Sequence, residues 1–231
     1  MITPLPRPRY ERKFVATGFS LAETLALIWQ HPALFRRAYP ARQVNNLYLD
    51  SPGMRDYLDH VHGTAFRLKT RIRWYGREHG HIPSPVLERK LKSGHVGGKE
   101  SYPLPGITLD GAVPIETLDA AIEGAVLPQL LRASLRHRQP VLLNRYERHY
   151  FLSADGRFRL TVDTDLLFLG VRPSTGCVTA LPVGDKSPVI ELKYGPEHAP
   201  AAAPIANALP FRMVRFSKYV LGIERWLALQ N

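Results

Sequence analysis

From Phe66 to Trp74 every second residue is a cation: Arg67, Lys69, Arg71 and Arg73 alternate with Phe66, Leu68, Thr70, Ile72 and Trp74. Side chains alternate faces along a strand, so one face carries four positive charges while the other seeks burial. A solvated antiparallel strand mixes signs on its wet face, because adjacent like charges repel. An unmixed cationic row therefore points to a surface that holds a polyanion.

The pattern recurs. Glu88, Lys90 and Lys92 share one face of Val86–Lys92. Arg159, Thr161, Asp163 and Asp165 oppose Phe158, Leu160 and Val162. Glu191 shares a parity with Lys193, Glu11 with Lys13, and Arg145 with Glu147. Ser20 and Glu23 form a capping-box signature before a helix at 21–29. Further helices are expected at 54–61, at 114–137 with a break near Pro128, and at 217–229. The segment from Pro32 to Pro40 reads as a break, and 76–85, 93–99 and 196–204 as loops. The fold expected is α+β: an antiparallel β-barrel tunnel with a charged lumen, its apolar faces turned outward under flanking helices.

Composition narrows the partner. A net charge of +11 and a pI near 10.0 favour nucleic acid, polyphosphate, a nucleotide or an acidic membrane surface. The cations alternate with core residues, which leaves a nucleic acid little to dock on, so none is expected. The single cysteine, Cys177, excludes an intrachain disulfide and a cysteine-cluster zinc site. Residues 1–8 read as a loose Pro-rich segment, and 9–231 as one domain. No apolar run has signal-peptide or membrane-spanning length, so a cytoplasmic chain is expected, membrane-associated only through a partner protein. There is no P-loop, no dinucleotide-binding glycine fingerprint and no convincing nucleophile–base arrangement. Arg36, Arg37, Arg132, Arg136 and Arg138 read as solvated helix faces. Trp74, Tyr75 and Tyr146 read as core or nucleobase-side packing.

Six motifs carry a resemblance. They are Arg71-Ile72-Arg73-Trp74-Tyr75-Gly76, Leu87-Glu88-Arg89-Lys90, Leu143-Asn144-Arg145, Arg159-Leu160-Thr161-Val162-Asp163-Thr164, Val189-Ile190-Glu191-Leu192-Lys193 and Arg215-Phe216-Ser217-Lys218-Tyr219. In this order they resemble the catalytic domain of the vacuolar transporter chaperone (VTC) polyphosphate polymerases, a branch of the triphosphate tunnel metalloenzymes. The resemblance implies a tunnel that binds ATP or another nucleoside triphosphate, a polyphosphate chain and Mn²⁺ or Mg²⁺. It implies transfer of the terminal phosphoryl group of ATP to the chain. The alternatives are a tunnel triphosphatase and a non-catalytic polyphosphate binder. Carried over residue by residue, Arg71, Arg73, Lys90, Arg145 and Lys218 become the catalytic clamp. Lys13, Lys69, Lys99, Arg159, Lys193 and Ser217 become phosphate contacts, and Glu191 the metal ligand. From the alternation itself, Glu11, Glu88, Glu147 and Asp163 read as counter-charges that keep the lumen foldable, and Arg67 as the cation of its row that sits outside the lumen, at a strand end. Where the sister triphosphatases and cyclases open with Glu-x-Glu-x-Lys, this chain has Arg9-x-Glu11-x-Lys13. Loss of the first carboxylate favours the polymerase branch. The helical sensor and membrane domains of the eukaryotic subunits have no counterpart in these residues.

Overall fold

The alternating segments become the strands of one antiparallel sheet. The computed structural model describes residues 9–93, 96–181 and 186–230; the expected loose segment 1–8 lies outside them. The first half runs β1 (Tyr10–Val15), α1 (Leu21–Trp29), β2 (Arg36–Asp50), α2 (Arg55–Val61), β3 (Phe66–Tyr75), β4 (Gly80–Ile82), β5 (Val86–Ser93) and β6 (Val96–Pro103). It continues β7 (Ile107–Leu109), α3 (Ile115–Glu123), α4 (Gln129–Leu135), β8 (Gln139–Leu152), β9 (Phe158–Val171) and β10 (Val178–Ala180). Last come β11 (Val189–Tyr194), a 3₁₀ turn (Pro196–Ala201), α5 (Ala202–Asn207), β12 (Arg212–Met213) and α6 (Lys218–Gln230).

The large sheet is ordered β12-β1-β11-β9-β8-β2-β3-β5-β6, with β10 beside β9. Among the described residues β12 and β6 do not pair, so the wall is a cupped, barrel-like tunnel rather than a ladder closed on itself. Across the opening Lys90 Nζ on β5 donates to Glu11 Oε2 on β1 at 3.1 Å.

Four expectations about breaks and loops need correction. β2 runs straight through Pro40, because register shifts between Arg37 and Arg42 leave the proline outside the ladder. The 76–85 loop contains β4, which pairs with β7. In 93–99, residues 94 and 95 lie outside the described residues, and β6 begins at Val96. The 196–204 segment coils into the 3₁₀ turn and α5, where consecutive alanines favour helix.

Helices cover the outer, apolar faces. Ser20 and Glu23 cap α1 reciprocally, and its Leu25 and Ile28 pack with α5 on Phe14, Leu160, Ile190 and Leu192. α3 and α4 bury Leu118, Ile122, Leu131 and Leu135 on Leu47, Ile72, Trp74, Leu87 and Leu143. Arg132 is not a solvated helix face: it donates to the carbonyls of Ile122, Glu123 and Ala125, closing the C-terminus of α3. Arg138 likewise pairs with Asp56 at 2.6 Å.

α6 departs from the outward pattern. Its Tyr219, Ile223 and Trp226 pack on Tyr48, Leu142 and Phe168. Tyr48 pairs with Arg71, and Phe168 with Asn144, so α6 lies on the inner face at one end of the tunnel. Two glycines permit the approach. A Cβ at Gly170 would stand 2.3 Å from the Trp226 ring, and one at Gly222 would stand 2.4 Å from Leu142. The fully buried Asp50 ties the group together, accepting from the backbone of Asp56 and Tyr57 and from the Tyr219 hydroxyl. α2 and α6 are thereby anchored to β2. Among the described residues no helix is long and apolar enough to cross a membrane.

Candidate functional site

Paired residues in antiparallel strands point to the same face, so the register identifies the lumen wall. Arg71 and Arg73 on β3 pair with Tyr48 and Asn46 on β2. Asn46 pairs with Asn144 on β8, and Arg148 with Asp163 on β9. Asp163 faces Val189 on β11, and the next lumen-facing β11 residues, Glu191 and Lys193, pair with Lys13 and Glu11 on β1.

At the inner end the cations hold carboxylates. Arg71 donates Nε and Nη2 to Glu88 Oε2, at 2.9 and 2.6 Å. Lys99, on β6, reaches Glu88 Oε1 at 2.5 Å. Arg148 grips Asp163 with a two-pronged fork, 2.6 and 2.7 Å long, and Lys218 Nζ adds a third bond at 2.5 Å. This fork matches the planar guanidinium to the carboxylate. Burial would raise the Asp163 carboxyl, but Arg148 and Lys218 hold it far below the usual range. Burial likewise opposes Glu88, yet Arg71, Arg73 and Lys99 bring it down to about 2. Arg73 donates to Asn46 at 2.8 Å and to the Tyr146 hydroxyl at 3.3 Å. Lys218 and Arg148 sit 4.6 and 5.2 Å from the centre of the Tyr146 ring. Burial raises the Tyr146 phenol, but Arg148, Arg73 and Lys218 outweigh it and lower it to about 7.

Toward α2 and the start of α6 the lumen widens into a cavity of about 1010 Å³. Nine Lys and Arg residues line it against two carboxylates, Glu11 and Glu224. Lys13 Nζ donates to the Phe216 carbonyl, and Lys69 Nζ to Ser217 Oγ, each at 2.9 Å. Ser217 Oγ also accepts from the Val220 N–H, so it caps the first turn of α6 while facing the cavity. Burial, reinforced by Lys13, Lys90 and Arg71, lowers Lys69 to about 7. Lys13 and Lys193 fall to about 8, again chiefly through burial, with Glu11 pulling the other way. Burial also drives His60, on the cavity wall, down to about 4, so it is neutral near pH 7.

Of the residues singled out in the sequence, Lys13, Lys69, Lys90, Lys99, Lys193 and Ser217 line the cavity. Arg71, Arg73, Glu191 and Lys218 lie further in. Arg67, expected outside, also lines the cavity. Arg159 keeps lumen parity at the exposed start of β9, beside Lys193. Arg145 does not join them. It stands on the opposite face of β8 and pairs with Glu78 at 2.9 Å. The lumen row of β8 is instead Asn144, Tyr146, Arg148 and Tyr150. Arg148 thus has no counterpart among the residues singled out in the sequence, while Tyr146, expected as core or nucleobase-side packing, is buried on the lumen side. A signal was present: Val141, Leu143 and Phe151 are apolar and share the parity of Arg145, which marks that face as the core side.

The resemblance implies a divalent cation, and the residues near Glu191 fit one. Glu191 takes Lys193 at 2.7 Å on Oε1, while its Oε2 is 3.9 Å from Arg148. Its Cα partner Thr161 holds a buried Oγ1 with no hydrogen-bond partner. A Mg²⁺ or Mn²⁺ that keeps waters and phosphate oxygens needs only one or two such hard protein oxygens. Among the described residues no three His, Cys, Asp or Glu side chains cluster to cage a metal alone.

A family model described as the VTC domain matches residues 8–227. A Vibrio parahaemolyticus protein described as a candidate adenylate cyclase is similar in structure, with a TM-score of 0.53 and 12% identity over 93% of this chain and 98% of its own. The PH1819 protein of Pyrococcus horikoshii OT3 aligns with a TM-score of 0.48 and 17% identity, over 96% of this chain and 99% of its own. No curated protein matches the sequence.

Proposed function

The chain belongs to the VTC domain family, a branch of the triphosphate tunnel enzymes of phosphoryl transfer and hydrolysis, and within it we propose that this protein transfers the terminal phosphoryl group of ATP to a polyphosphate chain. One observation carries the reading: nine cations and two carboxylates line the cavity, and two of its lining residues lead further in, Lys69 to Arg71 and Arg73 on the same face of β3 and Ser217 to the adjacent Lys218. Such a surplus suits two polyanions lying end to end.

The chemistry asks little else of the protein. A terminal oxygen of the chain forms a new bond to the γ-phosphorus. The bond from that phosphorus to the β–γ bridging oxygen breaks, and ADP leaves with the electron pair. Catalysis is then positioning plus stabilisation of charge spread over the equatorial oxygens. Arg71, Arg73 and Arg148 offer forks, and Lys69, Lys13 and Lys218 point charges. The orphaned Asn144 Nδ2 donor lies in the same wall. A bound Mg²⁺ or Mn²⁺, held by Glu191 with Thr161 beside it, would supply further neutralisation of phosphate oxygens. Arg9 lines the cavity where the sister hydrolases and cyclases carry a carboxylate, which favours a second polyanion over a second metal.

Pure protein incubated with ATP and Mn²⁺ is expected to give a polyphosphate ladder on a gel. Free phosphate without a ladder would assign hydrolysis instead. Glu191→Ala should lose metal-dependent turnover; full retention would contradict its assignment as the metal ligand.

A further inference from the structure

The lumen-facing row of β3 begins at Arg67 and Lys69 in the basic cavity and ends at Tyr75. At that far end the Arg42 guanidinium is ringed by tyrosines. Its central carbon lies 4.7 Å from the ring centre of Tyr75, 5.0 Å from Tyr150 and 6.0 Å from Tyr39. Tyr39 and Tyr150 meet edge to face, 5.9 Å apart. Arg42 pairs with Arg148 across the β2–β8 ladder, so the group continues the lumen rather than forming a separate surface. Tyr39 and Tyr75 are 60% and 50% exposed, and burial in the core does not account for them.

The two ends therefore differ in chemistry. A phosphate chain gains from the lysine-rich cavity and gains nothing from tyrosine rings. A nucleobase stacks on phenol rings and on a guanidinium plane. Tyr75 is two residues beyond Arg73, and Tyr150 two beyond Arg148, a step of about 7 Å along a strand that a ribose can bridge. We infer that Arg42, Tyr39, Tyr75 and Tyr150 form the site for the base of the nucleoside triphosphate. This rests on the proposed nucleotide substrate and orients it: base at the tyrosine mouth, γ-phosphate toward the lysine-rich cavity where the chain lies.

The test titrates ATP and inorganic triphosphate separately into the wild type, Tyr75→Ala and Tyr39→Ala. Loss of a stacking ring should weaken ATP by about five-fold or more, while triphosphate affinity stays within about two-fold, as for a substitution remote from the ligand. In Tyr75→Trp the new indole should be quenched by ATP and not by triphosphate. Unchanged ATP affinity in both alanine variants, or equal losses for the two ligands, overturns the nucleobase site and leaves the phosphate tunnel standing. A wild type that binds neither ligand removes the proposed function and this inference together.

Discussion

The two ends of the basic lumen treat their charges in opposite ways. At the inner end Asp163 and Glu88 neutralise Arg148, Lys218, Arg71 and Lys99 within 3 Å. At the cavity end Lys13 and Lys69 donate to neutral partners, a carbonyl and a hydroxyl, and crowd one another. A carboxylate near them, Glu11, lies 4.0 Å from Lys13, which shares it with Lys90 and Lys193. The inner cations are fixed in place by the fold. The cavity cations are held against their own repulsion, and a bound polyanion would relieve it. The contrast teaches that carboxylates and cations have separable roles here: loss of an inner carboxylate should cost folding, while loss of a lumen cation at either end should cost ligand binding.

The largest expected effect breaks the inner end. Asp163→Ala leaves Arg148 and Lys218 inside the lumen without their carboxylate. Removing one partner of a buried ion cluster costs about 3–5 kcal/mol, which chemical denaturation would read. A loss below about 1 kcal/mol would mean that this cluster is no more structural than a surface pair.

The next separates the two faces of β8. Arg148→Ala should weaken triphosphate binding by roughly ten-fold or more, the worth of a charge-assisted hydrogen bond. Arg145→Ala should change that affinity by less than about two-fold, since Arg145 serves Glu78 on the outer face. The reverse ranking, measured by calorimetry on folded variants, would show that the lumen parity of β8 is assigned backwards.

The smallest effect concerns Lys69 and pH. Its ordinary value is near 10.5 and its folded value about 7. Between these the unfolded chain holds the proton and the folded chain has released it. Stability contributed by Lys69 therefore rises as pH rises from about 7 to about 10. Lys69→Met should flatten that rise. The same variant should weaken triphosphate binding, because a bound anion restores the proton. In the wild type, binding at pH 8 should take up protons, visible as a dependence of the calorimetric heat on the buffer. Proton release would contradict the assignment.

Much of this was legible in the chain. Period-two alternation on β3, β5, β9 and β11 identified both the strands and their charged faces, because one lumen face repeats the same chemistry on each. The capping box set the start of α1 in the right place. What stayed hidden depends on distant partners. Pro40 looked like a break, but bulges in the β2–β8 ladder accommodate it. Arg145 carries the clamp motif, but it shares its face with the apolar Val141, Leu143 and Phe151 and turns to Glu78 on the core side. The side of the sheet that α6 covers is not legible locally, since nothing in its own sequence says that Gly170 and Gly222 open the inner face to it. The tyrosine ring around Arg42 joins three strands and has no signature in any one of them.

The most direct test of the tunnel is a crystal structure with inorganic triphosphate and Mn²⁺ bound. The phosphates should lie between Arg71, Arg73, Arg148 and Lys218 and extend toward Lys69 and Lys13, with the metal beside Glu191. Triphosphate bound on the outer face near Arg145, with the lumen cations still paired only to Asp163 and Glu88, would contradict the account.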